Sequence, residues 1–289
     1  MNGQKNYYIG IDIGSTASKT VVLNPDSTIA HSFVLPTGWN SKETAGKILE
    51  QLIRLGYYPV SAYPASAENQ NNTASRKDLA AGNSISSCCV ATGYGRVCVD
   101  YADKNVTEIT CHGRGAWALF QKNCTVIDVG GQDTKIITVR DGQVQDFLMN
   151  DKCAAGTGKF IEVMAARLGA SLEEFYDLAG RGTPLPISAM CTVFAESEVI
   201  SHIGSGKSRE DIAAGVIHSV ASRVANLCTR HGLSGDVVLT GGLSQTPLFL
   251  SVLSDKLGRK IMAHPMGRYA GALGAALSAK TIQKIFFDI

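Results

Sequence analysis

Residues 8–23 read YIGIDIGSTASKTVVL, and residues 125–139 read TVIDVGGQDTKIITV. Each segment has an apolar run with an aspartate near its end, a turn of glycine and small polar residues, a lysine, and a second apolar run. β-Branched residues favour strands, and a glycine turn between two strands is typical of a β-hairpin. The repeated pattern therefore predicts two related halves, which begin near residues 7 and 124.

Helical patterns occur outside the two hairpins. The predicted helices cover residues 41–55, 159–168, 194–203, 212–227 and 269–277. Residues 237–242 read VVLTGG, which is typical of a strand followed by a glycine turn. Residues 57–87 are rich in Ala, Ser and Asn and have little periodicity, so we expect an excursion or a mobile loop there.

The composition is that of an ordinary globular protein. The 289 residues are 45% hydrophobic and 18% charged, and the formal net charge is only +2. We find no basic stripe with interleaved aromatic residues, so a nucleic-acid or membrane-surface role is not indicated. The N-terminal residues lack an apolar signal segment, and no run of 18 apolar residues occurs. We therefore expect a cytoplasmic protein.

The two hairpin turns have the composition of phosphate-binding turns. Glycine lets backbone N–H groups approach a phosphate closely, and hydroxyl and ammonium groups add further donors. The candidate nucleotide contacts are Gly14, Ser15, Thr16, Ala17, Ser18 and Lys19 in the first turn, and Gly130, Gly131 and Gln132 in the second. For either turn alone, a tight hairpin without a ligand is the alternative. The repetition, with matched Asp and Lys, favours phosphate binding.

Other polar and glycine residues are candidates for the same nucleotide. Asp12 and Asp128 lie beside the turns, where a carboxylate can hold Mg²⁺ through its water ligands. Gln132 and Asp133 are candidates to orient the attacking water or Mg²⁺. The backbone at Gly241-Gly242 can approach the base or the α-phosphate. The chain has no GxxxxGK[ST] P-loop, and its first strand-turn lacks the GxGxxG dinucleotide motif.

Together these motifs resemble two nested groups of proteins. The hairpins, the Thr-Gly-Gly turn at 240–242 and the helix at 269–277 are similar to the five-part ATP site of the actin and hexokinase superfamily. More narrowly, the chain resembles the ATPase activators of 2-hydroxyacyl-CoA dehydratases, a group with benzoyl-CoA reductase ATPase subunits and reductases of double-cubane-cluster proteins. The segments that carry this resemblance are ATGYGR (91–96), IDVGGQD (127–133), NDKCAAGTG (150–158) and MCTVFAESEVI (190–200).

The resemblance implies an α/β fold with two related actin- or ribonuclease-H-like domains. Each domain would be a mixed sheet flanked by helices, with ATP or ADP and Mg²⁺ in the cleft between them. We expect residues 1–116 to form the first domain and residues 117–268 the second, with a helix near 269–289 packing back on the first. Gln245 and Arg268 are then candidate nucleotide contacts, and Arg268 stands where the family would have a Gln near adenine.

Eight cysteines are present, at positions 88, 89, 98, 111, 124, 153, 191 and 228, and none forms a CxxC pair. Cys153 and Cys191 each precede a helical segment, whose positive end favours a thiolate. From the residues alone, buried free thiols are the favoured interpretation. The resemblance instead implies that both ligate a [4Fe–4S] cluster, one per homodimer, because such a cluster takes four thiolates. We interpret the other six as structural thiols and place Cys88 and Cys89 in a flexible region.

The function implied by the resemblance is ATP-dependent electron transfer. A ferredoxin or flavodoxin would reduce the shared cluster, and ATP hydrolysis would drive electron delivery to an iron–sulfur dehydratase, a benzoyl-CoA-type reductase or a double-cubane protein. The alternative is a small-molecule kinase of the same superfamily, for example an amino-sugar kinase, which has no need of Cys153 or Cys191. A third interpretation is an ATP-gated binding or assembly protein without redox chemistry.

Overall fold

The computed structural model describes residues 7–59, 61, 86–187 and 192–287. These residues fall into two compact units. One unit combines the chain up to Gly115 with the segment that begins at Tyr269, and the other comprises Ala116–Arg268. Each unit contains one mixed β-sheet with helices packed on it.

Strands and helices are interspersed along the chain. The strands are β1 (Tyr7–Ile13), β2 (Ala17–Leu23), β3 (Ile29–Pro36), β4 (Tyr58–Pro59), β5 (Ser86–Thr92), β6 (Lys104–Asn105), β7 (Cys124–Val129), β8 (Thr134–Arg140), β9 (Gln143–Asn150), β10 (Asp236–Gly241) and β11 (Ile261–Ala263). The helices are α1 (Ser41–Arg54), α2 (Glu108–Phe120), α3 (Gly158–Arg167), α4 (Leu172–Arg181), α5 (Thr192–Gly204), α6 (Arg209–His231), α7 (Pro247–Leu257) and α8 (Ala270–Phe287).

Both predicted hairpins are present, and the strands around them repeat. In the first unit the strand order is β3-β2-β1-β5-β4, with β6 paired to β5. In the second the order is β11-β10-β7-β8-β9. Strands β1–β3 and β7–β9 are antiparallel meanders, and β5 and β10 add in parallel to β1 and β7. The shared topology confirms the two related α/β halves that the sequence repeat predicts.

The predicted helices are also present. Helix α1 begins after Asn40, whose side chain accepts hydrogen bonds from the backbone N–H groups of Lys42 and Glu43. Helix α8 packs on β1 through small residues, because a Cβ atom at Gly10 would collide with the backbone of Ala272 and Ala276. Within the described residues, no helix has both the length and the hydropathy needed to cross a bilayer.

The expectation of a flexible region around Cys88 and Cys89 is wrong. Both residues lie in β5 and are buried. Strand β5 has β1 and β4 as neighbours in the sheet, Cys89 packs in the apolar cluster that includes helix α1, and helix α8 also contacts β5. A strand covered on both faces buries consecutive residues and does not show the alternation that reveals a strand in a sequence. Most of the remaining expected excursion lies outside the described residues.

Candidate nucleotide site and cysteine loop

The first hairpin pairs an aspartate with a lysine across its two strands. Asp12 in β1 lies opposite Lys19 in β2, and Lys19 Nζ is 3.7 Å from Asp12 Oδ2. Asp12 is buried, whereas the turn residues Gly14–Ala17 are partly exposed. The arrangement holds one carboxylate and one ammonium group at the base of a turn that a ligand can reach.

Glycines make room for the Asp12 carboxylate. A Cβ atom at Gly93, whose φ is +86°, would collide with Asp12 Oδ1. A Cβ atom at Gly271 would lie 2.9 Å from Asp12 Oδ2 and 2.8 Å from His112 Nε2. The residue that follows β5, helix α2 and helix α8 therefore all approach this carboxylate closely, and together they fix it in place.

Thr37 stabilises the first hairpin turn through hydrogen bonds. Its hydroxyl group donates to the carbonyl oxygen of Gly14 at 2.7 Å and shares a 2.8 Å hydrogen bond with the Ser18 hydroxyl, while its N–H group donates to Thr16 O at 3.0 Å. The Ser18 hydroxyl group thus lies in the interior. Of the predicted hydroxyl contacts, Ser15 and Thr16 are the ones on the partly exposed part of the turn.

The second hairpin repeats the Asp–Lys pair and adds a second acid. Asp128 lies opposite Lys135, and Lys135 Nζ is 3.6 Å from Asp128 Oδ2 and 2.7 Å from Asp133 Oδ2. The side chains of Asp128 and Lys135 are only 2% and 3% exposed. The Thr240 hydroxyl group donates to Asp128 Oδ1 at 2.8 Å. Two carboxylates share one ammonium group, and this excess negative charge suits a divalent cation.

The remaining predicted nucleotide contacts border the second hairpin. Gln132 is exposed on the turn, and Gly130 N donates to Asp133 O at 2.9 Å. Gly241 has a φ of +80° and packs against the backbone of Val129, so only glycine fits there. No described atom would lie within 4 Å of a Cβ atom on Gly242, which leaves that backbone open.

Gln245 and Arg268 belong to neighbouring segments of the second unit. Gln245 Nε2 donates to Pro265 O at 3.3 Å, and a Cβ atom at Gly267 would lie 2.9 Å from Ser244 Oγ. The structure thus brings Gln245 to the loop that leads into Arg268, next to the Gly241-Gly242 turn.

The loop that contains Cys153 is hydrogen-bonded directly to the second turn. Gly158 N donates to Gly130 O at 2.9 Å, and Lys159 N donates to Gly131 O at 2.8 Å. The Thr134 hydroxyl group donates to Gly156 O at 2.7 Å. These bonds join the first residues of α3 and the preceding loop to the same peptide groups that the sequence assigns to phosphate binding.

The cysteines differ in burial. Cys153 and Cys98 are partly exposed. Burial raises the pKa of the thiol to about 12 in Cys88, Cys111 and Cys228, and to about 11 in Cys124; the pKa of Cys89 is also raised. Cys191, the other predicted ligand, lies outside the described residues. The part of the chain that is described contains no group of three or more His, Cys, Asp or Glu side chains suited to a metal ion.

The sequence did not reveal several residues that shape these sites. Thr37, which follows β3, and Thr240 of β10 support the two hairpins, and Gly93 and Gly271 clear the space around Asp12. Arg96 donates to Gly93 O at 2.9 Å and so caps its own turn. Threonine at a strand end beside a glycine turn is a weak signal for such a role.

The repeated sheet and the paired hairpin turns define an α/β protein of the actin-like class. The chain belongs to the BadF/BadG/BcrA/BcrD ATPase family, whose family model matches residues 9–279. The (R)-2-hydroxyglutaryl-CoA dehydratase activating ATPase of Acidaminococcus fermentans is 41% identical over 275 residues, which are 94% of this chain and 96% of that protein. Family membership identifies the chain as an ATPase that binds ATP or ADP.

Solved structures agree with this assignment. The activator of the 2-hydroxyisocaproyl-CoA dehydratase from Clostridium difficile with bound ADPNP superposes with a TM-score of 0.82 at 35% identity, over 98% of this chain and 97% of that one. A ROK family glucokinase from Streptomyces griseus gives a TM-score of 0.55 at 14% identity, over 95% of this chain and 99% of that one. The second likeness shows the shared fold alone.

Proposed function

We propose that this ATPase is an activator that couples its nucleotide state to an iron–sulfur cluster and delivers low-potential electrons to a partner enzyme. The observation that carries the proposal is the direct hydrogen bonding between the second turn and the Cys153 loop. The carbonyl oxygens of Gly130 and Gly131 accept from the Cys153 side, and the N–H group of Gly131, which shares a peptide group with Gly130 O, is the donor proposed for the phosphate, because Gly130 N already donates to Asp133 O. A peptide group whose N–H binds a ligand and whose C=O accepts from the loop can transmit a displacement at the ligand to the loop.

The nucleotide contacts follow from the two hairpins. Gly14–Thr16 and Gly131–Gln132 would supply N–H and hydroxyl donors to the phosphates, with Lys19 as a positive charge, whereas Gly130 N is already bonded to Asp133 O. Asp12 in the first hairpin and Asp128 in the second are each a carboxylate that would hold Mg²⁺ through its waters, and the two carboxylates and one ammonium group of Asp128, Asp133 and Lys135 would attract the ion. Asp133 is tied to Lys135, so Gln132, which is exposed, is the side chain freest to orient the attacking water.

The cluster would be shared by two copies of the chain. A [4Fe–4S] cluster is held by four thiolates and carries one electron at a time. Cys153 is accessible, and with Cys191 each chain would provide two ligands. The buried cysteines fit structural roles, because their raised pKa values keep them protonated. With two thiolates from each chain, four ligands would require a homodimer.

Helix α5, which follows Cys191, supports such a dimer. Val193 and Phe194 are 66% and 65% exposed, and Ile200 and Ile203 are exposed further along the helix. Val193 and Ile200 are seven residues apart and so lie on one helix face. Exposed apolar side chains on one helix are typical of a surface that a protein covers. We propose that a second copy of the chain covers this face.

The partner is proposed from the relatives. Two of them are named as activators of 2-hydroxyglutaryl-CoA and 2-hydroxyisocaproyl-CoA dehydratases. We infer a 2-hydroxyacyl-CoA dehydratase or a related double-cubane protein as electron acceptor and a ferredoxin or flavodoxin as donor, all in the cytoplasm. The main alternative, an amino-sugar kinase, shares the fold and would transfer the phosphate to a sugar hydroxyl.

Anaerobic purification tests the proposal. We expect brown protein that elutes as a dimer, contains about four irons per two chains, and hydrolyses ATP without an added sugar. Colourless, iron-free protein that phosphorylates amino sugars would overturn the proposal in favour of the kinase. Iron-free protein that hydrolyses ATP and phosphorylates nothing would leave the family assignment intact and exclude the electron-transfer role.

A further inference from the structure

A cavity of about 170 Å³ lies beside the Cys153 loop, within the second unit. One wall comes from β8, β9 and the loop, through Thr134, Asn150 and Cys153. The other comes from α6, through Arg223, Asn226 and Arg230. Arg223 and Arg230 are seven residues apart, which places both guanidinium groups on one face of the helix.

The cavity has an excess of positive charge. Among the described residues, no Asp or Glu lines it, and neither Arg223 nor Arg230 forms an ion pair. Nη2 of Arg223 is buried, and no described residue is its hydrogen-bond partner. A buried guanidinium N–H without an acceptor is costly, and an anion is the ligand that offsets this cost best.

We propose that this cavity is a binding site for a small tetrahedral oxyanion such as inorganic phosphate. The planar guanidinium group of Arg223 matches two oxygen atoms of such an anion, Arg230 adds a second positive charge at the rim, and the amide group of Asn226 is a further donor. Cys153 lines the cavity, but none of these donor residues is a proposed phosphate, Mg²⁺ or cluster ligand, so this inference does not depend on the cluster.

The position of the site gives the anion a regulatory role. Thr134 and Gly156 both line the cavity and are joined by the 2.7 Å hydrogen bond between β8 and the Cys153 loop. An oxyanion held there would bridge α6 to that junction and stabilise the loop in its present position. Hydrolysis of ATP releases phosphate, so this ATPase produces a ligand of the required chemistry.

Equilibrium dialysis with radiolabelled inorganic phosphate tests the site. The full chain is first saturated with Mg²⁺ and a non-hydrolysable ATP analogue, so that the nucleotide turns are filled. We expect one phosphate per chain and at least about tenfold weaker binding by Arg223→Gln, which is about 1.4 kcal/mol. Arg209→Gln is the matched control, because Arg209 lies on the same helix but forms an exposed ion pair with Glu174.

Arg230→Gln keeps the test decisive if Arg223→Gln does not fold. Arg230 is exposed, so its replacement leaves packing intact, and we expect weaker phosphate binding in this variant as well. Absence of bound phosphate in the wild-type protein overturns the proposal. Equal affinity in the wild-type protein and in every folded variant of these two arginines overturns it too, because binding would then occur elsewhere.

Discussion

The hydroxyl group of Thr134 donates a 2.7 Å hydrogen bond to the carbonyl oxygen of Gly156. Thr134 follows the second hairpin turn directly, and Gly156 lies three residues after Cys153. Both residues are buried, so the bond is protected from water. It shows that the turn and the cysteine loop are one hydrogen-bonded structure, although 19 residues separate Thr134 from Cys153 in the sequence.

Removal of the hydrogen bond from Thr134 to Gly156 should weaken the coupling between the second turn and the Cys153 loop. Thr134→Val keeps the side-chain shape but leaves Gly156 O without its donor, so we expect a loss of about 1 kcal/mol in unfolding free energy. In cluster-free protein, the alkylation rate of Cys153 should differ between ADP and a non-hydrolysable ATP analogue, and this difference should shrink in the variant.

Thr138→Val is the control for Thr134→Val. Thr138 lies on the same strand and hydrogen-bonds His231 Nε2 at 2.9 Å, away from the cysteine loop. The Thr138 variant should retain the wild-type difference in alkylation rate. If Thr134→Val also retains this difference in alkylation rate, the hydrogen bond does not couple the nucleotide to the Cys153 loop.

Mg²⁺-dependent ATP hydrolysis should require Asp12 and Asp128. Replacement of either by Asn removes a carboxylate that we propose holds the metal waters, and we expect kcat to fall roughly 100-fold or more. Asp128→Asn should fold, because Lys135 keeps its 2.7 Å contact with Asp133. Asp236→Asn, which removes only an exposed ion pair with Lys122, should leave kcat unchanged. Wild-type rates in both active-turn variants would refute the assigned metal position.

The sequence predicts the repeated parts of the fold well and the long-range contacts poorly. The hairpins, with Asp12 opposite Lys19 and Asp128 opposite Lys135, follow from local turn chemistry and strand periodicity. Strand β5 was missed because both of its faces are covered, which removes the alternation that marks a strand.

The candidate site likewise contains residues that the sequence predicts and residues that it does not. The turn residues are recognisable because glycine and small polar residues are adjacent in the chain. The support from Thr37 and the contact from Thr134 to Gly156 depend on tertiary packing, and neither residue has a local signal strong enough to predict it. The two arginines of the cavity look like ordinary polar residues of a long helix until the opposite wall is known.

Cluster content should depend on two cysteines in particular. Cys153→Ser and Cys191→Ser should each abolish the cluster, since a homodimer loses two ligands at once. Cys98→Ser is the matched control, because Cys98 is also partly exposed and should not affect iron content. Iron per dimer and visible absorption measure the result after anaerobic purification. Full retention of iron in either ligand variant would exclude that thiolate.

The free energy of unfolding should fall at alkaline pH, because burial opposes ionisation of the thiols. The pKa of Cys228 is raised by burial from 9.0 to about 12. Because the folded pKa exceeds the unfolded one, the thiol contributes fully below pH 9, and this contribution is lost as the pH rises towards 12. The stability difference between wild type and Cys228→Ala should therefore shrink by up to about 1.4 kcal/mol per pH unit in that window. Chemical denaturation at several pH values measures it, and a constant difference would contradict the assigned burial.

Nucleotide state should reach the cluster through the second turn. The bonds from Gly158 N and Lys159 N to the carbonyl oxygens of Gly130 and Gly131 should make the cysteine loop sensitive to a phosphate bound at those peptides. A nucleotide that favours one loop position must bind that position more tightly, so by reciprocity the environment of the proposed cluster should change with the nucleotide.

The most direct measurement is the reduction potential of the cluster in the anaerobically purified dimer without nucleotide, with ADP, and with a non-hydrolysable ATP analogue. We expect the potential with the ATP analogue to differ from the potential with ADP, because hydrogen bonding and solvent exposure at the cysteine loop set it. An identical potential in all three states would contradict the proposed coupling, even if the protein binds both ATP and a cluster.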